Sequence, residues 1–161
     1  MTARLSVSVR VAAPAEAVFA GMVDLAAQDD WMLGTRLYAL AGDVPVPAVG
    51  SRMAALTGLS GLGILDLMEV TVLDPPRRWE TVHTGGVIKG RGIFTVDPVG
   101  PGASVATWTE EVELPLGLLG RAGWPLVRPA IGWGLRRSLQ RLRAGVLNGS
   151  LPPHRPAPPA D

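Results

Sequence analysis

The clearest periodic pattern in the chain lies near its C-terminus, over about residues 126–147. Apolar residues recur there at spacings of three and four, which places them on one face of an α-helix: Val127, Ile131, Leu135, Leu139, Leu142 and Val146. Arginines occupy most of the remaining faces, where their charged groups stay in water. A helix of about 20 residues is roughly 30 Å long. The pattern therefore predicts a C-terminal helix that lies across a small domain and needs a partner surface.

The partner surface is supplied by segments with the period-two alternation of β-strands. Leu5, Val7, Val9 and Val11 alternate with polar or small neighbours, which predicts a first strand with one buried face. Six further strands are predicted from alternation and from the turns between them, at about residues 36–41, 52–57, 66–73, 79–83, 88–96 and 104–114. The last four of these are predicted to form an antiparallel meander.

Two short helices are predicted between the first and second strands. Pro14 stands where the first helix begins, a position at which a missing backbone N–H costs nothing, and Val18 and Phe19 belong to its buried side. Asp24 is suited to cap a second short helix that ends near Trp31. This order of elements predicts an α+β architecture, with helices on one face of an antiparallel sheet.

The composition narrows the class of protein. A chain of 161 residues with 47% hydrophobic residues can bury a sizeable core, so we expect one domain over residues 1–147 and a disordered, proline-rich tail over residues 148–161. The absence of cysteine excludes disulfides, thiolate metal sites and a cysteine nucleophile. Neither a signal peptide nor an apolar membrane span is recognisable, which predicts a cytoplasmic protein with no integral membrane segment.

The charge is unevenly distributed along the chain, although the net charge is only +1. Residues 121–161 contain seven arginines and one acid, whereas residues 1–120 contain eight basic and thirteen acidic residues. A basic helix can attract nucleic acid or an anionic membrane. The arginines lack the interleaved aromatic and lysine residues of a nucleic-acid groove, so we expect no nucleic-acid partner. A solvated outer face is the favoured interpretation, and binding to an anionic surface or a partner through Arg136, Arg137, Arg141 and Arg143 is the weaker one.

Three segments resemble the START/Bet v 1-like superfamily, whose bacterial members are grouped as SRPBCC or polyketide cyclase/dehydrase-like proteins. These are residues 13–19, 72–78 and 108–115, and the likeness covers about residues 3–147. The resemblance implies a helix-grip fold: a curved seven-stranded antiparallel sheet wrapped around the long C-terminal helix, with two short helices after strand one and an apolar cavity between sheet and helix. The shared signals are structural, so they bear on the fold more than on the function.

One alternating set of side chains from each strand would line such a cavity. The candidate ligand-binding residues are Trp31, Met68, Trp79, His83, Phe94, Trp108, Glu110 and Trp133. Five tryptophans are many for a chain with one tyrosine and two phenylalanines. Their rings can cover flat apolar ligands, although they also fill ordinary cores.

Glu110 and His83 are the acid/base pair that the sequence offers, provided that both point inward. A buried carboxylate or a histidine near neutrality suits proton abstraction next to a carbonyl group, as an aldol-type cyclisation requires. The simpler interpretation of His83 is a solvated strand end, and a one-residue change of register would expose Glu110. The two histidines and the scattered acids lack metal-ligand spacing, so neither a metal nor another cofactor is expected.

The sequence favours binding of a small hydrophobic molecule, such as a lipid, an isoprenoid or a polyketide-like compound, without a bound cofactor. The alternative is a cofactor-independent enzyme of the cyclase/dehydratase type, with Glu110 or His83 as general base. The small number of polar residues in the predicted lining favours binding over catalysis. The identity of the ligand and the oligomeric state, a homodimer included, stay open.

Overall fold

The seven predicted strands and three predicted helices are all present in the computed structural model, which describes residues 2–40, 47–59, 62–86, 88–114 and 118–151. The elements in chain order are β1 (Thr2–Val11), α1 (Ala15–Val23), α2 (Leu25–Trp31), β2 (Thr35–Ala39), β3 (Arg52–Leu59), β4 (Leu62–Asp74), β5 (Arg78–His83), β6 (Gly90–Gly100), β7 (Ala103–Glu113) and α3 (Leu118–Asn148). This confirms the α+β helix-grip fold, with a curved sheet, two short helices after strand one and a long C-terminal helix.

All seven strands form one antiparallel sheet in the order β1-β7-β6-β5-β4-β3-β2. The pairing register shifts between Val70 and Val72 in β4 and between Pro98 and Gly100 in β6. Such irregularities bend a strand and increase its twist. The C-terminal half of α3 packs against the side chains on the concave face, where Leu139 and Leu142 are completely buried.

The hairpin between β3 and β4 is tighter than predicted. The strands predicted at residues 52–57 and 66–73 leave residues 58–65 as their connection, but Gly58 pairs with Gly63 and Leu59 pairs with Leu62 inside the ladder. A Cβ at Gly63 would lie 3.0 Å from Leu56 Cδ1 and 3.1 Å from the carbonyl oxygen of Thr57, so glycine fits the close approach of the two strands. Residues 60 and 61 lie outside the described residues.

The two short helices form as their end signals predict. Pro14 is the residue before the first turn of α1. The side chain of Asp24 accepts hydrogen bonds from the backbone N–H groups of Ala26, at 3.0 Å, and Ala27, at 3.3 Å. These two bonds cap the first N–H groups of α2, although the N–H group of Ala27 also donates to the carbonyl oxygen of Asp24 at 3.1 Å. The cap marks the boundary between α1 and α2.

Helix α3 begins at Leu118, well before the predicted start near residue 126. Pro125 lies just before the predicted start and Pro129 lies inside the predicted helix, and the structure places both inside α3. A proline within a helix leaves the carbonyl group four residues earlier without its usual donor. Both prolines are on the exposed side of α3, where water can hydrogen-bond the carbonyl groups that they leave free.

The end of α3 folds back onto the domain. Gly149 has a φ of +72°, the left-handed conformation that commonly ends a helix, and the N–H groups of Ser150 and Leu151 both donate to the carbonyl oxygen of Gly145. The side chain of Leu151 is buried next to Gly21 and Gly145. The predicted tail from residue 148 therefore includes a short packed segment, and residues 152–161 lie outside the described residues.

Candidate functional site: an apolar cavity with a charged wall

A cavity of about 730 Å³ separates the concave face of the sheet from the first half of α3, by which we mean residues 118–135. Its apolar lining comes from both sides: Met53, Ile64, Met68, Trp79, Phe94, Trp108, Val112, Trp124, Val127, Ile131 and Leu135. Its polar lining is Gln28, Thr35, Thr57, Asp66, Thr81, His83, Glu110, Glu113 and Ser138. The volume lies within the range of about 300–1,000 Å³ that is typical of small-molecule sites.

Three aromatic rings from adjacent strands form the floor of the cavity. The rings of Trp79 and Phe94 stack at 4.8 Å with an interplanar angle of 19°, and Phe94 lies 4.8 Å from Trp108 at 35°. The strand register causes this arrangement, because Phe94 pairs with Trp79 on one side and with Trp108 on the other. Packed rings of this kind give a rigid, flat and apolar surface.

Three charged side chains form a chain of contacts along one wall. His83 Nδ1 lies 2.6 Å from Asp66 Oδ2, and His83 Nε2 lies 3.5 Å from Glu110 Oε2. The N–H group of Trp108 Nε1 donates to Glu110 Oε1 at 2.6 Å. The imidazole of His83 therefore stands between two carboxylates, and the position of the outer carboxylate is fixed by an indole.

Glycines on β6 bring His83 and Glu110 together from strands that are not neighbours. His83 of β5 pairs with Gly90, and Glu110 of β7 pairs with Gly92. A Cβ at Gly92 would lie 3.4 Å from Glu110 Oε1, so a larger residue would crowd the carboxylate where it reaches across β6. A Cβ at Gly90 would approach the carbonyl oxygen of Glu111 to 2.0 Å, and this glycine also has a φ of +133°, so no other residue fits there.

The environment of His83 favours its protonated form. Burial alone lowers the pKa of an imidazole, but the hydrogen bonds and the negative charges of Asp66 and Glu110 outweigh burial and raise the pKa of His83 from 6.5 to about 9. The side chain is only 6% exposed. The expectation of a solvated strand end is therefore wrong for His83, because the strand end lies beneath the cavity. Near neutral pH this residue is a buried cation.

Glu110 is the member of this chain of contacts that a ligand can reach. Its side chain is 18% exposed, whereas that of Asp66 is 7% exposed and the Nε2 atom of His83 is fully enclosed. Its carboxylate can accept a hydrogen bond from a hydroxyl or amine group in the cavity. His83 and Asp66 lie behind it and would act on a ligand through the charge and position of Glu110.

The structure brings six of the eight predicted ligand-binding residues to the cavity lining: Met68, Trp79, His83, Phe94, Trp108 and Glu110. Trp31 lies behind the floor, buried edge-on against Phe94 and Trp108. Trp133 lies on the outer side of α3 and is 63% exposed. The reason is helical geometry, because a residue two positions after the cavity-lining Ile131 is about 200° further around the helix.

Several lining residues were not singled out by the sequence analysis. Asp66 was placed at a strand edge, and its contact with His83 depends on the pairing between β4 and β5. Trp124 and Gly123 fall in the segment that was predicted to be irregular, before the expected start of the helix. Their apolar spacing relative to Val127 and Ile131 continues the helical pattern, and it could have extended the prediction if Pro125 had been allowed inside the helix.

The described ranges contain neither a metal cluster nor a membrane-spanning helix. No group of three or more His, Cys, Asp or Glu side chains among these residues has the arrangement of a metal site. The helices in the same ranges include none long and apolar enough to cross a membrane. The fold and the cavity together define a helix-grip protein with an interior that can hold a small molecule.

The chain belongs to the polyketide cyclase / dehydrase and lipid transport family, whose model matches residues 2–146. This confirms the resemblance to SRPBCC and START-like proteins. The family's ligand-binding and cyclase roles both fit a cavity of this kind. No curated protein matches the chain in sequence.

Solved structures share the fold at low sequence identity. A protein from Thermus thermophilus is 19% identical with a TM-score of 0.76, and the match covers 92% of this chain and 99% of that one. The Zhui aromatase/cyclase from Streptomyces sp. R1128 is 14% identical with a TM-score of 0.73, over 93% and 96% of the two chains. A START superfamily protein from Mycobacterium smegmatis is 21% identical with a TM-score of 0.64, over 92% and 96%. The TM-scores show a common fold, and at these low identities the likeness concerns the fold alone.

Proposed function

We propose that this protein binds a small hydrophobic molecule that carries a hydrogen-bond donor, in the cavity between the sheet and α3. The observation that supports the proposal is the combination of an apolar cavity of about 730 Å³ with a single charged wall. The apolar lining provides affinity, and the carboxylate of Glu110 selects a hydroxyl or amine group. Lipids, isoprenoids and polyketide-like compounds with such a group are the ligand classes that fit.

The affinity of such a ligand comes mainly from apolar contact. A ligand that buries about 300 Å² of apolar surface gains roughly 7 kcal/mol at about 25 cal/mol per Å². The loss of translational and rotational freedom offsets part of this gain. A preformed aromatic floor reduces the further cost of ordering side chains, because Trp79 and Phe94 are already held against each other.

Gln28 of α2 adds a second polar side chain to the cavity lining. It is completely buried, and its Nε2 atom donates to the carbonyl oxygen of Met22 at 2.7 Å. Its Oε1 atom is enclosed, as Nε2 of His83 is, and has no hydrogen-bond partner among the described residues. Glu110 is therefore the acceptor that the proposal assigns to the ligand.

The binding proposal is tested by filling the cavity from α3. A Cβ at Gly134 would have no neighbour within 4 Å and this glycine lines the cavity, so the side chain of Gly134→Leu starts in open space and adds bulk to the cavity. We expect the neutral probe N-phenyl-1-naphthylamine to fluoresce on binding to the wild type and to lose about tenfold or more in affinity in this variant.

The matched control is Gly132→Ala on the same helix. A Cβ at Gly132 would lie 3.7 Å from Leu5 Cδ1, an ordinary contact, and this glycine is not in the cavity lining. The control also removes a helical glycine, so it should bind the probe like the wild type. Equal probe affinity in Gly134→Leu and the wild type would place the probe elsewhere and contradict the proposal.

A second candidate function is favoured by the charged wall. A cofactor-independent enzyme of the cyclase/dehydratase type could use Glu110 as general base. Its carboxylate would take the proton from a carbon next to a carbonyl group. The electron pair of the C–H bond would then form the C=C bond of an enolate, and the π pair of the C=O bond would move onto the oxygen. A general base must reach the proton that it removes, and the carboxylate of Glu110 faces the cavity among apolar side chains. His83 is less suited to the role of base, because its raised pKa keeps it protonated near pH 7.

The enzyme candidate is tested with a probe that needs only a base. The ring opening of 5-nitrobenzisoxazole begins when a base removes its C–H proton, and apolar surroundings accelerate this step. Glu110→Gln should lower the catalysed rate by about 100-fold or more. The control Glu16→Gln, which removes an exposed carboxylate on α1 outside the cavity lining, should leave the rate unchanged. Wild-type activity in Glu110→Gln would exclude Glu110 as the base.

A further inference from the structure

We propose that the outer face of the first half of α3 docks onto an anionic lipid bilayer. Six apolar residues on this face are exposed, and we call them the outer stripe: Leu119, Ala122, Leu126, Pro129, Ala130 and Trp133. Their spacing of three and four residues aligns them along one side of the helix. Leu126 is 82% exposed, Leu119 is 74% exposed and Trp133 is 63% exposed.

The outer stripe is unusual for a face in contact with water alone. Single exposed apolar residues are common, but an aligned set with a tryptophan at one end is typical of an interaction surface. The opposite side of the same turns, with Trp124, Val127 and Ile131, faces the cavity. The first half of α3 is therefore apolar on two sides. One side faces the cavity and the sheet, and the other side, the outer stripe, is exposed.

The charge of α3 indicates that the surface bound by the outer stripe is anionic. The helix contains six arginines and no acidic residue over its 31 residues. Arg121 and Arg128 lie in the same turns as the outer stripe and are exposed. A helix that combines exposed leucine and tryptophan with flanking arginines is suited to the interface of a bilayer, where rings lie among the headgroups and guanidinium groups meet anionic phosphates.

The docking would be peripheral, since no helix of the described ranges can cross a membrane. Val127 and Ile131 both line the cavity and are about half exposed, so the mouth of the cavity opens beside the outer stripe. A bilayer on this face would lie against the mouth. The docking does not depend on an occupied cavity, so it can be tested apart from the ligand proposed above.

The direct test is co-sedimentation of the full chain with vesicles of two compositions. We expect binding to phosphatidylcholine vesicles with about 30% phosphatidylglycerol and little binding to phosphatidylcholine alone. The double variant Leu126→Glu/Trp133→Glu should lower the partition coefficient by about 100-fold, because it replaces two exposed apolar side chains with negative charges that the anionic headgroups repel. Both residues are exposed, so the domain should keep its fold.

Val99→Glu is the matched control for added negative charge. Val99 is 45% exposed and lies near the β6–β7 turn. Ser104, close to the same turn, donates to the carbonyl oxygen of Ala13 just before α1. Val99 is therefore at the α1 end of the sheet, away from the start of α3. Its binding to the anionic vesicles should change by less than about twofold. An equal loss in Val99→Glu and in the stripe variant would show a response to net charge alone and contradict docking by the outer stripe.

The arginines are tested separately from the apolar residues. Each arginine near an anionic surface contributes about 1 kcal/mol, or roughly fivefold, so Arg121→Gln/Arg128→Gln should lower the partition coefficient by about 25-fold. About 0.5 M NaCl should weaken wild-type binding by a similar factor. Equal binding of the wild type to neutral and anionic vesicles would overturn the proposal.

A second copy of the chain is the competing occupant of the outer stripe. Sedimentation equilibrium of the wild type and of Leu126→Glu/Trp133→Glu separates the two cases. A monomer in both supports the lipid surface. A wild-type dimer that dissociates in the variant, together with no binding to anionic vesicles, would overturn docking on lipid in favour of a homodimer interface.

Discussion

The two halves of α3 have the same helical geometry but different surroundings. In the second half, Leu139 and Leu142 are completely buried in the core of the domain. In the first half, Val127 and Ile131 contact a cavity on one side and are partly exposed on the other. The second half therefore contributes stability, and the first half is available for binding. The domain can hold an interior cavity because one set of turns of α3 packs in the core and another set lines the cavity.

The glycines of the two halves show the same difference. A Cβ at Gly123 or Gly134 would have no neighbour within 4 Å, since both face the cavity. A Cβ at Gly145 would lie 2.6 Å from Leu151 Cγ, because Leu151 fills the space beside it. A helical glycine costs about 1 kcal/mol relative to alanine, and in the first half this cost leaves room for a ligand.

The largest effect that separates the two halves is expected from Leu139→Ala. Removing a completely buried leucine should lower the free energy of unfolding by about 2–5 kcal/mol. Leu126→Ala, the same change on the exposed face of the first half, should alter it by less than about 0.5 kcal/mol. Urea unfolding followed by tryptophan fluorescence measures both. A similar loss in the two variants would show that both halves are part of the same core.

The next largest effect is expected at the charged wall. Asp66→Asn removes the negative charge closest to His83 but keeps an oxygen that can accept from its Nδ1–H group. Replacing a charge-assisted hydrogen bond by a neutral one between these buried groups should lower the free energy of unfolding by about 1–3 kcal/mol. The pKa of His83 should fall in this variant, which NMR can follow because His154 is the one other histidine in the sequence. An unchanged His83 titration would mean that Glu110 alone holds the imidazolium.

The pH dependence of stability should report the same buried cation. Folding raises the pKa of His83 from 6.5 to about 9, so the folded state binds this proton more tightly than the unfolded state. The resulting stability is complete below about pH 6.5 and is lost as the pH rises through about 9. Urea unfolding of the wild type and His83→Gln at about pH 6, 7.5 and 10 should show a difference that shrinks with rising pH. A constant difference would contradict a raised pKa.

The smallest effect is expected from Gly134→Ala in the first half of α3. Because the new methyl group meets no neighbour, the higher helix propensity of alanine should raise the free energy of unfolding by about 0.5–1 kcal/mol. Gly145→Ala in the second half should instead destabilise the protein, since Leu151 occupies the space of the new methyl group. Urea unfolding compares the two variants. A Gly145→Ala variant that is more stable than the wild type would contradict the tighter packing of the second half.

Much of the fold could be predicted because it depends on local periodicity. Alternation on β1 and on β7, the cap at Asp24 and the leucine spacing after Ile131 each identify an element without long-range information. The early start of α3 could not be predicted across Pro125, because a proline inside a helix removes a hydrogen bond and the freed carbonyl group needs water or another donor. That condition depends on exposure, which the sequence does not specify.

The candidate site was predictable in part. Alternation placed Trp108 and Glu110 on one face of β7, and the structure pairs them with Phe94 and Gly92 on β6. The contact between Asp66 and His83 could not be predicted, because it depends on the pairing of β4 with β5, and the bulge near Val70 shifts the register elsewhere in that pair. The burial of His83 follows from the same long-range pairing together with the position of the first half of α3.

The most direct test of the central claim is an NMR titration of the five tryptophan indole N–H groups with N-phenyl-1-naphthylamine. Trp79, Trp108 and Trp124 line the cavity, whereas Trp133 lies on the outer side of α3. Binding in the cavity predicts large shifts for the three lining indoles and no shift for Trp133. A shift of Trp133 with unchanged signals from the other three would place the probe on the surface and contradict a ligand site between the sheet and α3.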